Sequence, residues 1–457
     1  MMVVPGRPSA RGLSFWVLMD QPGRPSVNLT GAGIAQARIS IISLARPDDP
    51  AIARQLYLVA CLGLTPDQRY RLVVSRDGVF AEAWSRTLPL SVALGGRFSI
   101  ALGSCHCIPR TKGIDTCYPP KLHDSDADPI RFRVLAGDQI YMDASERTGQ
   151  PILSPAPKPY ERYLSQWTKL LYSSWLQRSP NLVLADDHEF WNDYPHRSFW
   201  LTWSESAPGG PLGRTLDRAY ALFQVALNLD AASAAAASDL PNQLDAPARS
   251  FQLDVSPLSF FFLDTRTERT RFDANPARFC SVDSLQRALQ WTRALSAPGV
   301  LVIPQPLVAE RASGLARALH AQPDVNLPDY PANFRALWEA VSTAPHDIVI
   351  LTGDIHYTRL YSISRSPISH TRVYEVVSSP LARIPTSTKP SSALTGKVEF
   401  EGGNARWTKF YAGNPEATYT TLTFQPMSGR LQLAVRAWLV GKNATAQLGW
   451  ERSLSLT

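Results

Sequence analysis

At 457 residues, with 44% apolar and 10% aromatic side chains, the chain is too long for one typical domain and too rich in core-forming bulk for a disordered polymer. Its 46 Lys and Arg against 39 Asp and Glu leave a formal charge of +7 without any polybasic run, which favours anionic substrates mildly and nucleic acid only weakly. Five cysteines are too few for a disulfide scaffold, and no apolar stretch nears the ~20 residues of a membrane helix.

In chain order, Arg7 and Arg11 ahead of an apolar segment at 13–19 imitate a secretory signal faintly. The segment is short and no small-x-small cleavage site comes after it, so it reads as a first strand and the chain as cytoplasmic, with export left open. Further short strands are predicted at 37–44, 55–62, 69–74 and 79–85, with no long helix-period stretch between them. Leu62-Gly-Leu-Thr-Pro-Asp-Gln-Arg-Tyr70 is a loop entering a strand with a Tyr near its start, a phrase common in immunoglobulin-like sandwiches. The expectation is an N-terminal immunoglobulin-like β-sandwich over residues 1–96, then a catalytic unit over 97–457.

From residue 98 the pattern changes. Six compact apolar runs, at 98–102, 132–136, 182–185, 260–263, 300–303 and 348–351, each end abruptly in polar, reactive residues. Runs of four or five apolar residues without alternation suit strands buried on both faces. Helix-compatible segments lie between them at 160–177, 214–229, 284–295 and 333–343. Repeated strand, helix, strand argues an α/β sheet, and the carboxyl ends of such strands face one crevice. The Pro-rich 145–159, the Ala-rich 230–250 and residues 380–397 read as loops or insertions, the second also as a short Ala helix limited by Pro241 and Pro247. Strands at 419–425 and 431–438 would form a hairpin around Pro426-Met-Ser-Gly-Arg430.

The strand tips carry the chemistry. Cys105, Asp138, Tyr141, Asp187, Asp354 and His356 are candidate metal ligands, with Asn192 and Gln305 weaker ones. Carboxylates and a phenolate suit Fe³⁺, Ca²⁺, Mg²⁺ or Mn²⁺, whereas His and thiolate admit iron or Zn²⁺. Such a mixture points to more than one metal, and a pair of cations bridged by a carboxylate suits phosphoester hydrolysis by a metal-activated hydroxide. Asp186-Asp187-His188-Glu189 sets four ionisable side chains directly after a buried strand, a costly placement unless partners offset it. Arg266 and Arg269 are candidate forks for phosphate oxygens, with surface salt-bridging the alternative, favoured for Arg269. Cys107 and Cys117 are either a disulfide or ordinary thiols.

Gly103-Ser-Cys105, Gly137-Asp-Gln-Ile-Tyr-Met-Asp143, Asp186-Asp-His-Glu-Phe-Trp-Asn-Asp193, Leu263-Asp-Thr-Arg266 and Thr352-Gly-Asp-Ile-His356 resemble, in order, the motifs of the alkaline phosphatase D family of calcineurin-like metallophosphoesterases. The resemblance spans 97 to about 380. It implies a two-layered β core flanked by helices, with iron and calcium between the strand tips. Asp138 would bridge the metals, Cys105 and Tyr141 would hold Fe³⁺ with help from Asp354 and His356, and Asp187 would bind the second metal. His188 would bind phosphate or protonate the leaving oxygen. The substrate would be a small phosphomonoester or phosphodiester. The oligomeric state is left open, a monomer being favoured. A sandwich-type binding or adhesion protein with an inactive hydrolase unit is the alternative, but no motif lacks its ionisable residue.

Overall fold

The structure is a computed structural model that describes residues 1–21, 23–93, 96–107, 129–145, 158–196, 209–245, 249–271, 273–308, 326–364, 372–382, 392–400, 403–413, 416–440 and 446–457. Its N-terminal part is two antiparallel sheets face to face. β1 (Met2–Pro8), β2 (Gly12–Leu18), β4 (Arg38–Ser43) and β5 (Leu56–Leu62) form one, in the order β1-β2-β5-β4. β3 (Ser26–Gly31), β6 (Arg69–Arg76) and β7 (Val79–Arg86) form the other, ordered β3-β6-β7. Alternation decides what each strand buries. Phe15, Val17, Val59 and Cys61 meet Leu72, Val74 and Tyr70 between the sheets, whereas Val4, Trp16, Leu58 and Ala60 point the other way into a second core. The Tyr70 hydroxyl donates to the Ala32 carbonyl at 2.8 Å and accepts from the Thr65 amide at 2.9 Å, pinning the loop before its strand.

The six apolar runs are strands. β8 (Phe98–Gly103), β9 (Ile130–Ala136) and β10 (Asn181–Leu184) are parallel neighbours in a six-stranded sheet. β19 (Thr418–Met427), β20 (Arg430–Val440) and β21 (Ala446–Leu456) complete it in the order β10-β9-β8-β19-β20-β21. The predicted C-terminal hairpin is thus an integral part of the sheet, with its turn at Ser428-Gly429, where Gly429 has φ 72°. The eight-stranded sheet holds β11 (Phe251–Val255), β12 (Leu258–Phe262), β13 (Gly299–Val302), β14 (Ile348–Thr352), β15 (Arg359–Ser364), β16 (Val373–Val377), β17 (Thr395–Phe400) and β18 (Gly403–Ala412). Within it β12, β13, β14 and β16 run parallel.

These two sheets pack on each other. Phe132, Val134 and Ala136 of β9 face Phe260, Phe262, Val300, Val302, Val349 and Leu351 across the interface. The alternate residues Leu301, Ile348 and Ile350 face outward, onto α6 (Val282–Arg293) and α7 (Pro331–Ser342). Leu135 and Val183 likewise face α1 (Pro159–Trp167) and α3 (Pro211–Phe223). Burial on both faces is why the runs lack alternation.

The predicted helix at 160–177 is two helices, α1 and α2 (Leu170–Leu176), because Lys169 is extended at ψ 129°. The Ala-rich stretch holds α4 (Ala231–Ala236), capped by the Asp230 carboxylate, and α5 (Leu240–Gln243). After α3, Asn228 exchanges side-chain hydrogen bonds of 2.8 and 2.6 Å with the backbone of Val183, covering the free edge of β10. Cys107 is a free thiol; Cys117, residues 146–157 and residues 383–391 lie outside the described residues. Among the described residues no helix is long and apolar enough to cross a membrane.

Trp16 joins the N-terminal sheet to the helices. It is fully buried, its ring nitrogen donates to the Leu222 carbonyl at 2.9 Å, and it packs at 5.1 Å from Trp167 and 5.4 Å from Phe223. Trp16→Ala is expected to cost about 3–5 kcal/mol and to lower the thermal unfolding midpoint. Phe80→Ala, at a residue 68% exposed, should change stability by no more than about 0.5 kcal/mol.

Candidate metal centre at the strand tips

All the parallel strands of the two central sheets that carry the motifs end at one rim. Closure of the rim depends on glycine at two points. A Cβ on Gly353, at the tip of β14, would lie 2.2 Å from the Ser104 hydroxyl and 2.6 Å from the Ala136 carbonyl, so only glycine lets the tips of β8, β9 and β14 meet. Gly137, at φ 86°, would place a Cβ 2.5 Å from that of Asp186. Cys105, Asp138, Asp354 and His356 are themselves non-glycine residues at positive φ, 58°, 56°, 70° and 58°. Such backbone costs roughly 1–3 kcal/mol per residue and persists where surrounding contacts hold it.

Those tight turns bring the predicted ligands together. One group comprises Cys105, Asp138 and His356; a second, Asp138, Asp187 and His188; a third, Asp138, Asp186 and Asp354, with ligand atoms in each within 4.8 Å of one another. Asp138 belongs to all three. The Cys105 thiol lies 3.4 Å from its Oδ2, and the Tyr141 hydroxyl donates to the same oxygen at 3.2 Å while sitting 3.3 Å from His356 Nε2.

The charges are crowded and buried. Burial, with Asp187, Asp186 and Glu189 adding to it, pushes the Asp138 carboxyl well above its ordinary range. Burial pushes Asp186 up to about 6 against the pull of Arg266. Asp187 stays below its ordinary value despite burial, because His188 and Arg266 favour its charge. The Cys105 thiol and Tyr141 phenol are both raised well above normal, by burial first and Asp138 next, and burial lowers His356 to about 4. Asp186 Oδ2 is buried without a hydrogen-bond partner among the described residues. Crowded carboxylates, one with an orphaned oxygen, beside a thiol, a phenol and an imidazole fit a site for metal cations, the oxygens suiting hard ions and the sulfur and imidazole iron or zinc.

Three neighbours carry no assigned role in the sequence reading. Glu189, fully buried, accepts the backbone amides of Asp138 at 3.0 Å, Gln139 at 2.6 Å and Asp186 at 2.9 Å, and the Gln224 side-chain amide at 3.1 Å. Burial raises it to about 7. Asp143 holds His188 Nδ1 at 2.8 and 3.0 Å and accepts the Asn192 amide at 2.8 Å. The imidazole stacks on Tyr141 at 4.1 Å, and although burial opposes its charge, Asp143, Asp187 and Asp138 raise it well above normal. Asp186 is the third. All three stand inside the strand-tip motifs, and their backbone and ring contacts are what a string of letters does not show.

Arg266 is placed differently from a fork on phosphate oxygens. Its guanidinium is fully buried, forms a salt bridge with Asp186 and donates to the Tyr194 carbonyl at 2.8 Å. Arg269 is buried too, which overturns its surface reading: a stacked tyrosine, Tyr330, and the Thr265 carbonyl hold it under the rim. It donates to Gln305 Oε1 at 2.5 Å. Because a guanidinium only donates, it fixes the Gln305 oxygen on its own side and turns Nε2 toward Asp354 Oδ2, 3.4 Å away. Gln305 therefore faces the cluster as a donor. Asn192 also spends its side-chain nitrogen on a carboxylate, that of Asp193 at 2.8 Å.

No protein-family model and no curated protein sequence matches the chain. Among solved structures it superposes on that of PhoD with a TM-score of 0.66 at 15% identity, over 99% of this chain and 89% of that one. The fold is thus PhoD-like, a mixed α/β arrangement of several sheets. A surface layer protein, SbsC domains 4–9, aligns over 24% of this chain at a TM-score of only 0.14 and carries no argument.

Glu189→Gln keeps the shape but sets an NH₂ group against backbone N–H donors, leaving at least one of them unsatisfied. The expected loss is about 1–3 kcal/mol, read as a lower melting point of metal-free protein, together with weaker metal retention in elemental analysis.

Proposed function

We propose that the chain is a metal-dependent phosphohydrolase of the alkaline phosphatase D type, cleaving phosphomonoesters or phosphodiesters. The observation that carries this reading is the convergence of three donor groups on the single carboxylate of Asp138. The PhoD-like fold supports it. So does the order of the motifs, and the packing of two sheets with flanking helices suits a calcineurin-like core behind an immunoglobulin-like N-terminal sandwich.

Cys105, Asp138, Tyr141 and His356 would hold one cation, iron by the thiolate and phenolate chemistry, and Asp138 with Asp187, Asp186 and Asp354 would hold calcium or another hard divalent ion. Bound there, the cations supply Lewis acidity, which polarises a phosphoryl oxygen and lowers the pKa of a water. The protein's own groups do the rest. Arg266 is a positioning residue that keeps Asp186 ionised and aimed. Asp143 holds Nδ1 of His188 and so leaves Nε2 as the group that gives its proton to the departing oxygen while the phosphorus–oxygen bond breaks. Gln305 orients Asp354.

Hydrolysis of bis-p-nitrophenyl and p-nitrophenyl phosphate should vanish on chelation and return with metal; full turnover in protein shown to be metal-free overturns the reading. His188→Ala should lower kcat by about 10²- to 10⁴-fold with metal content near wild type, while Asp138→Ala loses both. A substrate with a very good leaving group should restore much of the His188→Ala rate, because its departing oxygen needs no proton. If iron is held by Tyr141, the protein should be coloured, and Tyr141→Phe should shift or remove the visible band. A colourless, active, iron-free enzyme removes iron and leaves the hydrolase.

A further inference from the structure

Next to Arg266, which bonds the Tyr194 carbonyl and precedes Thr267 in the chain, lies a cavity of about 370 Å³ lined by Arg46, Tyr194, Arg214, Asp217, Arg218, Asp245, Arg249 and Thr267. It sits where the loop after β4, helices α3 and α5, the segment entering β11 and the loop after β12 meet. Such seams between packed units are common places for small-molecule sites, and the volume lies in their usual range of roughly 300–1,000 Å³.

The walls are built. Arg218 is fixed by Asp49 and by Asp245 at 3.0 Å, with further bonds to the carbonyls of Pro241 at 2.9 Å and Leu44 at 3.0 Å. Arg249 grips Asp217 through two parallel bonds of 2.7 and 2.9 Å and lies over the Tyr220 ring at 5.0 Å. Arg46 is tied to Asp245. Arg214 differs. It is exposed, has no carboxylate partner among the described residues and donates only to the Gly209 carbonyl. The Tyr194 hydroxyl also has no hydrogen-bond partner among the described residues, although its ring is held by Phe190 at 4.1 Å and Trp191 at 4.7 Å. The lining thus carries four arginines against two aspartates; Asp49 lies behind it, and Asp48 reaches Arg46 only from solvent at 3.6 Å.

We propose that this cavity is a second anion site, which takes the phosphoryl group of a small phosphorylated molecule on Arg214 and the Tyr194 hydroxyl, between pre-positioned arginines. A planar guanidinium fork with free donors suits phosphate oxygens, and walls already locked by aspartates lose little freedom on binding. The cavity exceeds what a lone phosphate fills, so a diphosphate or an organic phosphate fits it better. Tyr194 and Thr267 also connect it to the rim: the Tyr194 carbonyl accepts from Arg266, and Thr267 is the next residue after that arginine in the chain. The site is independent of whether the donor cluster hydrolyses anything.

The test uses the full chain stripped of metal, in which the uncompensated acids of the rim repel phosphate. Isothermal titration with inorganic phosphate, pyrophosphate and a nucleoside monophosphate should show one binding event. Pyrophosphate or the nucleotide binding more tightly than phosphate tells a dense polyanion from an organic phosphate as the preferred source. Arg214→Ala should weaken binding at least tenfold and Arg214→Glu abolish it, with melting points near wild type because the side chain is exposed; Tyr194→Phe should weaken it less. No binding of any of the three, or binding unchanged in Arg214→Glu, overturns the proposal, and neither outcome bears on hydrolysis, which is assayed separately in metal-loaded protein.

Discussion

Glu189 is a buried acid whose partners are almost all backbone. By accepting the amides of Asp138, Gln139 and Asp186 it ties the turn after β9 to the turn after β10, and both turns expose their side chains to the same small volume as a result. A carboxylate can do this because it accepts several hydrogen bonds without donating one. Gly353 does the complementary work from the opposite sheet by allowing β14 to approach without steric conflict. The donor cluster is therefore a product of backbone placement first and of side-chain choice second.

The positive φ angles show the same dependence from the energetic side. Cys105, Asp138, Asp354 and His356 each sit in a conformation that an L-residue avoids, and each lies just beyond the carboxyl end of a strand paired within its sheet. The amide of Cys105 bonds to the Gly137 carbonyl and that of His106 to the Asp138 carbonyl, so the two turns brace one another. Strain of this kind needs a rigid support, and the double-sided packing of β8, β9, β13 and β14 provides it.

Much of this was legible in the sequence because double burial leaves a plain mark. Runs such as Val300 to Ile303 have no polar face, and each gives way at its carboxyl end to chemically reactive residues. Other features left no such mark. β1, with two prolines and a glycine, lies ahead of the segment at 13–19 that reads as the first strand, yet its register with β2 and its burial make it a strand. The break between α1 and α2 turns on one extended lysine inside a helix-compatible stretch. The buried pairing of Arg266 with Asp186 spans 80 positions, and the placing of Arg269 under Gln305 spans 36, distances over which periodicity carries no information. For the two arginines the missing information is a long-range contact, not a local preference.

One such contact shapes how the molecule is made. β8 carries Cys105 at its tip, and its neighbours are β9 on one side and β19 on the other; Ser99 and Thr423, hydrogen-bonded at 2.9 Å across that second pairing, are 324 residues apart. Closing so long a loop is slow relative to forming local structure. During synthesis one edge of β8 must wait, unpaired and apolar on both faces, until most of the protein has emerged, and an edge of that kind invites pairing with other chains. The strand at the heart of the site is thus also the one whose exposure lasts longest, and rapid translation or delayed release would be felt there before anywhere else in the sheet.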